Sequence, residues 1–212
     1  MFNINNIIGN LLFTLPAIVI ALTFHEYAHA LVAYACGDMT AKNAGRLTLN
    51  PFKHLDLLGT LLLIIASFGW AKPVPINPLN FRGNRQRKIM LVSVAGPLMN
   101  LLEALVGAVI FALIYRFAPY NSVTEYFYYF FNYFIQINII LAVFNILPIS
   151  PLDGSKILAG FLPYDKMEVV FRYERYGMLV LIILMFTGVL GKIITPVSSA
   201  IFSFLMRLCG VY

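Results

Sequence analysis

Residues 1–24 contain no charged side chain, and this apolar run leads directly into the motif His25-Glu26-x-x-His29. A run of this kind predicts a membrane-crossing helix, because about 20 apolar residues span the hydrocarbon core of a bilayer. We expect the first helix to run from Ile7 to Ala35 and to end at Cys36-Gly37. The motif then lies inside the membrane, where two histidines and a glutamate are costly unless they serve a function.

The composition supports a membrane protein throughout. Hydrophobic residues make up 60% of the 212 residues and charged residues only 11%, whereas soluble domains hold about a quarter charged residues. The net charge of +6 does not indicate a nucleic-acid partner, because basic residues accumulate in cytoplasmic loops of membrane proteins. The N-terminal run lacks a basic region and a cleavage site, so we interpret it as a retained span. We expect residues 1–212 to form a single membrane domain.

Further apolar stretches predict an all-α polytopic fold with a core of three long transmembrane helices. The second span is expected from Ile89 to Phe117, and the third from Tyr126 to Leu152. Two prolines near the end of the third predict that Asn145–Asp153 is unwound. One or two C-terminal helices follow, over Tyr176–Gly191 and Ile193–Leu208, separated by Gly191-Lys192 and Pro196.

The apolar stretch Leu57–Ala71 is about 15 residues long, which is short for a full span. Both of its flanking loops are basic, so the positive-inside rule places both ends in the cytoplasm and predicts a re-entrant segment. Alternating residues over Arg46–Asn50, stopped by Pro51, predict a short membrane-associated β-strand. Val74–Ile76 is a second candidate strand.

The two histidines of the motif lie four residues apart, which places them on one face of a helix about 6 Å apart along its axis. Both rings can then turn a nitrogen onto one zinc ion. Glu26 lies about 100° round the helix from His25, within reach of a water at the metal. The structural alternative is a pair of buried histidines with local hydrogen bonds beside an unrelated glutamate.

A catalytic zinc site needs three protein ligands and one open position. His54 and several acidic residues are candidates for the third, and topology favours Asp153, because the chain there can fold back to the depth of His25. The alternative for Asp153 is a cap on the following segment, Gly154–Leu162. Asn100 and Glu103 share a face of the second span, and they serve either an interhelical hydrogen bond or the site itself.

These motifs, together with Asn145-x-x-Pro148-x-x-Pro151-Leu152-Asp153-Gly154, resemble the site-2 protease family of intramembrane zinc metalloproteases. Gly45–Pro51, Gly69–Pro75 and Ala95–Pro97 are similar to a compact prokaryotic branch that lacks PDZ and nucleotide-sensing modules. The resemblance implies His25, His29 and Asp153 as ligands of one Zn²⁺ per chain and Glu26 as the catalytic base. It also implies that Asn145 helps to hold the substrate backbone or the oxyanion.

The expected activity is therefore regulated intramembrane proteolysis of a transmembrane substrate, in a multi-pass protein of the prokaryotic cell membrane. The active site is expected towards the cytoplasmic side, with the lipid bilayer as the other partner and no nucleic acid. Three alternatives stay open at this point. They are an inactive binding or chaperone protein of the same fold, a metal transporter, and an unrelated membrane HExxH protease with a glutamate as third ligand.

Overall fold

A computed structural model of the chain describes residues 4–56, 58, 59, 71–163 and 174–211. Within these residues the protein is helical, with seven α-helices and two short 3₁₀ helices at Pro51–Lys53 and Pro78–Asn80. The α-helices, in chain order, are α1 (Ile4–Ala35), α2 (Thr40–Asn43), α3 (Arg85–Phe117), α4 (Ser122–Ile146), α5 (Asp153–Ala159), α6 (Glu174–Phe186) and α7 (Val189–Leu208).

Four of the described helices, α1, α3, α4 and α7, are long and apolar enough to cross a membrane. The sequence predicts a core of three, and the difference lies in α7. Leu205 and Met206 of that helix are buried in the same hydrophobic cluster as Phe111 of α3 and Ile135 of α4. The fourth long helix therefore belongs to the core. Helix α6 is apolar but shorter than a full span.

The helix boundaries follow from capping residues. Asn84 accepts a hydrogen bond from the backbone N–H of Arg87 (3.0 Å), and Asn121 forms a capping box with Thr124, so α3 and α4 both begin at an asparagine cap. The predicted break at Gly191-Lys192 is wrong. The chain turns instead at Gly188, whose left-handed backbone (φ 71°) separates α6 from α7, and Pro196 lies within α7.

The predicted strand Arg46–Asn50 is also wrong. This segment is irregular, because its polar groups are used elsewhere: the Asn50 side chain caps the following 3₁₀ helix and the Thr48 carbonyl accepts from the His54 ring. Residues 72–77 form no strand either. Among the described residues, β-pairing is limited to an isolated antiparallel bridge between Leu55 and Ala71.

Most of the predicted re-entrant segment Leu57–Ala71 lies outside the described residues. Its two ends are described, and they lie side by side. Besides the Leu55–Ala71 bridge, the Lys72 N–H donates to the His54 carbonyl at 2.8 Å. The chain therefore leaves and returns at one place in the structure.

Helix α1 packs against α3 and α4, and small residues allow the close approach. A Cβ atom placed on Gly96 of α3 would lie 2.5 Å from the His25 ring on α1. Further along α3, a Cβ on Gly107 would lie 2.9 Å from Phe134 of α4. Small residues of this kind bring membrane helices together. As a result the polar side chains of α1 face directly onto α3.

Candidate metal centre

His25 and His29 lie on the face of α1 that packs against α3, and both are buried, with 5% and 7% of their surfaces exposed. The helical spacing of four residues brings their rings together, edge to face, with the two Nε2 atoms 3.0 Å apart. The sequence pattern predicts this juxtaposition, because residues i and i+4 share a helix face.

Asp153 joins the two histidines from a different part of the chain. Its Oδ2 atom lies 3.3 Å from His25 Nε2 and 3.2 Å from His29 Nε2. Helix α4 ends at Ile146 and α5 begins at Asp153, so the intervening residues turn the chain back onto α1. The unwound stretch is thus shorter than predicted, because Asn145 still lies in the last turn of α4.

Gly154 makes that turn possible. A Cβ atom at this position would overlap the backbone carbonyls of Ile146 and Leu147, so no other residue fits. The N-cap position of α5 is Leu152, which makes no side-chain cap. The carboxylate of Asp153 faces the histidines instead, which removes the capping alternative.

The Nδ1 atom of each histidine ring, on the side away from the cluster, has its own hydrogen-bond partner. His29 Nδ1 lies 2.7 Å from the Val92 carbonyl, and His25 Nδ1 lies 2.6 Å from Asn100 Oδ1. A carbonyl oxygen can only accept, so both Nδ1 atoms carry the hydrogen and both Nε2 atoms present a lone pair. Two lone pairs and a carboxylate oxygen therefore point at one place, and a cation there satisfies all three.

The donor set and spacing fit zinc. Imidazole nitrogen and carboxylate oxygen bind zinc at about 2.0–2.2 Å, which places neighbouring tetrahedral ligands about 3.3 Å apart. The three observed separations are 3.0, 3.2 and 3.3 Å. Within the described ranges, these residues form the one cluster of three potential metal ligands. They leave the fourth position open, as a catalytic zinc site requires.

Glu26 lies beside this cluster on a cavity of about 280 Å³. The residue is half-buried, and its Oε2 accepts a hydrogen bond from the Val74 backbone N–H at 2.9 Å. Asn145 lines the same cavity, with its side-chain amide donating to the Leu141 carbonyl (3.0 Å). The cavity is thus lined by the five residues that the family resemblance assigns to the site: His25, Glu26, His29, Asn145 and Asp153.

The segment 72–77 forms one wall of the cavity, and sequence reasoning missed how it is held. Asp38 accepts from the Asn77 N–H at 2.7 Å, while Arg46 donates to the Lys72 carbonyl at 2.6 Å. Burial opposes ionisation of Asp38, but hydrogen bonds from Thr40, Asn80 and Asn77 outweigh it and hold the pKa of this carboxyl below its ordinary value. The wall is therefore anchored by buried polar side chains.

His54 and Glu103 lie apart from the cluster. His54 is fully buried, its Nε2 bonds to the Thr48 carbonyl at 2.8 Å, and it is not among the clustered ligands. Glu103 is buried, and its Oε2 has no hydrogen-bond partner among the described residues. Asn100 is different, because it contacts His25 directly. Sequence reasoning also missed Asn138, which bonds to Asn100 (2.9 Å) and whose one signal is a polar residue within an apolar span.

The chain is similar to known proteins of one family. The family model described as Peptidase family M50 matches residues 13–188. A Bacillus subtilis (strain 168) protein named "Putative zinc metalloprotease YwhC" is 39% identical over 188 residues, which cover 86% of this chain and 84% of that protein. A protein of the same description, Rip2 of Mycolicibacterium smegmatis, is 29% identical over 87% of this chain and 71% of its own length.

The relative from Mycobacterium tuberculosis (strain ATCC 25618 / H37Rv), also named Rip2, is 30% identical over 78% of this chain and 63% of its own length. No solved structure matches the chain. The family match includes the three residues of the cluster, the residues that line the cavity beside it, and the segment 72–77 that forms its wall. On this evidence the chain belongs to peptidase family M50, the site-2 protease family of zinc metalloproteases.

Proposed function

We propose that this protein is an intramembrane zinc metalloendopeptidase that hydrolyses peptide bonds in or near the transmembrane segments of membrane proteins. One observation carries the proposal. Two imidazole lone pairs and a carboxylate oxygen meet at zinc-ligand spacing, inside a helix bundle, next to a glutamate that faces an open cavity. Family membership supports the same chemistry.

In this proposal His25, His29 and Asp153 hold one Zn²⁺ per chain. The ion, when bound, supplies a Lewis acid that polarises the scissile carbonyl and makes water a nucleophile near neutral pH. Glu26 takes the proton from the attacking water and later delivers it to the leaving amine, so a single carboxylate serves as base and then as acid. Its contact with the Val74 N–H holds the Oε2 atom at the cavity wall.

The depth of the site makes the reaction intramembrane. His25 lies ten residues before the end of α1, which is about 15 Å at 1.5 Å per residue. That end of the helix leads into basic segments containing Lys42, Lys53 and Lys72, which indicates the cytoplasmic side. The paired ends of the segment 57–70 support the re-entrant interpretation, because both of its flanks then lie on that side.

A transmembrane helix must unwind before its carbonyls can react, so the site needs a surface that holds an extended chain. Residues 72–77 have no strand partner among the described residues, and Pro73, Val74 and Ile76 line the cavity. We assign substrate backbone binding by strand addition to this wall. Asn145 lines the same cavity and supplies an amide to the substrate backbone.

The test compares matched variants in one membrane preparation. Glu26→Gln is expected to keep one zinc per chain while losing cleavage, and His25→Ala is expected to lose zinc as well. Glu125→Gln removes a glutamate in the first turn of α4, outside the cavity, and is expected to retain both. Zinc is measured by metal analysis. Substrates are identified as the single-span membrane proteins that accumulate in cells carrying the Glu26→Gln variant. Cleavage at the wild-type rate in Glu26→Gln, or full zinc in His25→Ala, would contradict the proposal.

A further inference from the structure

Two asparagine side chains, Asn100 of α3 and Asn138 of α4, lie fully buried where these helices meet α1. Asn100 bonds to a proposed zinc ligand, His25, whereas the hydrogen bonds of the Asn138 side chain to the described part of the chain go to Asn100 and to its own helix. A polar side chain within a membrane bundle is costly unless its groups are satisfied, so this pair has a reason to be there.

The hydrogen bonds of the pair form one chain: His25 donates to Asn100, Asn100 donates to Asn138, and Asn138 donates to the Phe134 carbonyl. Asn138 Nδ2 donates to the Phe134 carbonyl at 3.0 Å, which leaves Asn138 Oδ1 to accept from Asn100 Nδ2 at 2.9 Å. Asn100 Oδ1 then faces His25 Nδ1 at 2.6 Å. The Phe134 carbonyl can only accept, so it determines the orientation of both amides and the position of the hydrogen on the His25 ring.

The two histidines differ in how their rings are held. His29 bonds to the Val92 carbonyl, which is part of the backbone and cannot be turned round. His25 bonds to an amide that has two orientations, and the wrong one would place NH₂ against the ring N–H. The wrong orientation favours the other tautomer of His25, whose Nε2 carries a hydrogen and cannot bind a metal.

Asn100 has two further polar contacts: the Glu103 side chain one turn along α3, and a 3.2 Å bond from its Nδ2 to the Ala21 carbonyl. That carbonyl lies four residues before His25, so within α1 it also accepts the backbone hydrogen bond of that turn. The bond that Asn100 Nδ2 donates to Asn138 Oδ1 is shorter, at 2.9 Å, and this side-chain oxygen takes no part in the backbone hydrogen bonds of a helix. Of these two hydrogen bonds, the one to Asn138 is therefore the stronger constraint on Asn100.

We propose that Asn138 is a positioning residue of the zinc site, which acts through Asn100 to keep His25 in its metal-binding tautomer. The inference rests on the proposed zinc site. Residues that hold the outer nitrogen of a zinc-bound histidine typically contribute about 10- to 100-fold to metal affinity. Asn138 acts one bond further out, so we expect its loss to weaken zinc binding by about tenfold, the lower end of that range.

The experiment measures the zinc dissociation constant of the purified full chain in detergent, by competition with a chromophoric chelator. Asn138→Leu is expected to bind zinc about tenfold more weakly, while Asn138→Asp, which keeps an acceptor oxygen for Asn100, is expected to restore the affinity. Ile139→Ala is the control, because it perturbs the buried core at the next residue without touching the amide pair. It is expected to lower stability and leave zinc affinity unchanged.

Asn138→Ser replaces the leucine variant if that variant does not fold. Serine keeps a hydroxyl for the Phe134 carbonyl, four residues earlier, but is too short to reach Asn100. The same weakening of zinc binding is expected.

The same Asn138 substitution in an Asn100→Asp background distinguishes a loss of amide orientation from a loss of core packing. In Asn100→Asp the carboxyl group offers His25 an acceptor oxygen whichever way it turns, so Asn138→Leu is expected to have no further effect on affinity there. Wild-type affinity in Asn138→Leu, an equal loss in Ile139→Ala, or an undiminished loss in the Asn100→Asp background would each overturn the inference. A wild-type chain that binds no zinc would instead refute the proposed zinc site.

Discussion

Replacing Gly96 of α3 by alanine tests the packing of the metal centre. The added Cβ would lie 2.5 Å from His25 Cε1 and 2.5 Å from His29 Nε2, whereas ordinary contacts begin at 3.4 Å. The two rings must therefore move by about 0.9 Å, or α3 must withdraw from α1. Zinc–ligand distances hold to within about 0.2 Å in natural sites, so a displacement of this size disrupts coordination.

Two opposing effects set the expected change in the free energy of unfolding. Alanine is favoured over glycine within a helix by about 1 kcal/mol, which alone would stabilise the protein. Overpacking a well-filled interior costs about 1–3 kcal/mol, so the net effect on unfolding is small or destabilising. The effect on zinc is larger, because both histidines move at once. We expect zinc affinity to fall by about 100-fold, the upper end of the range seen when the supports of ligands are removed.

The assay pairs chelator competition for zinc with thermal unfolding in detergent. Gly191→Ala is the matched control, since Gly191 lies in helix α7 and a Cβ there meets nothing within 4 Å. This control is expected to raise stability slightly and to leave zinc affinity unchanged. A Gly96→Ala protein with the zinc affinity and cleavage activity of the wild type would refute the geometry described for the centre.

Three further predictions concern the parts of the fold around the centre. Asp153→Asn is expected to lower zinc content and cleavage together, while Lys156→Met on the same cavity keeps its zinc; full metal occupancy in Asp153→Asn would exclude the aspartate as a ligand. Cysteines introduced at Lys53 and Lys72, both exposed, are expected to react with a membrane-impermeant reagent from the same side, because the backbones beside them are paired; labelling from opposite sides would exclude a re-entrant segment. The pKa of Asp38 is lower in the folded protein, so its stabilising effect is present above about pH 4 and is lost as the pH falls through the folded-state pKa. Asp38→Asn is expected to lower the unfolding temperature at neutral pH and to flatten this acid dependence, and an unchanged pH profile would contradict the assigned role.

The long helices were predictable because each is a local property of the chain. The predicted span Ile89–Phe117 is α3, which begins at Arg85 because Asn84 caps it. The juxtaposition of His25 and His29 was predictable for the same reason, since a spacing of four residues determines a shared helix face. The sequence-based predictions fail where a partner outside the segment decides its local structure. Arg46–Asn50 alternates like a strand, yet a strand needs a neighbour. The Asn50 side chain and the Thr48 backbone carbonyl bond to nearby turns instead.

The sequence by itself determined that this protein crosses a membrane. It also determined that one membrane-crossing helix carries two histidines and a glutamate facing the interior of the protein. Both conclusions depend on hydrophobicity and helical period, which act over a few residues. Only the tertiary structure decided which distant groups complete the centre. Asp153 reaches the histidines because Gly154 allows the chain to turn tightly. Asn100 and the Val92 carbonyl meet them because Gly96 lets α3 approach α1, and Asn138 of α4 bonds in turn to Asn100. These contacts join residues far apart in sequence, and burial in a low-dielectric interior, where each polar group must find a partner, is what selects them.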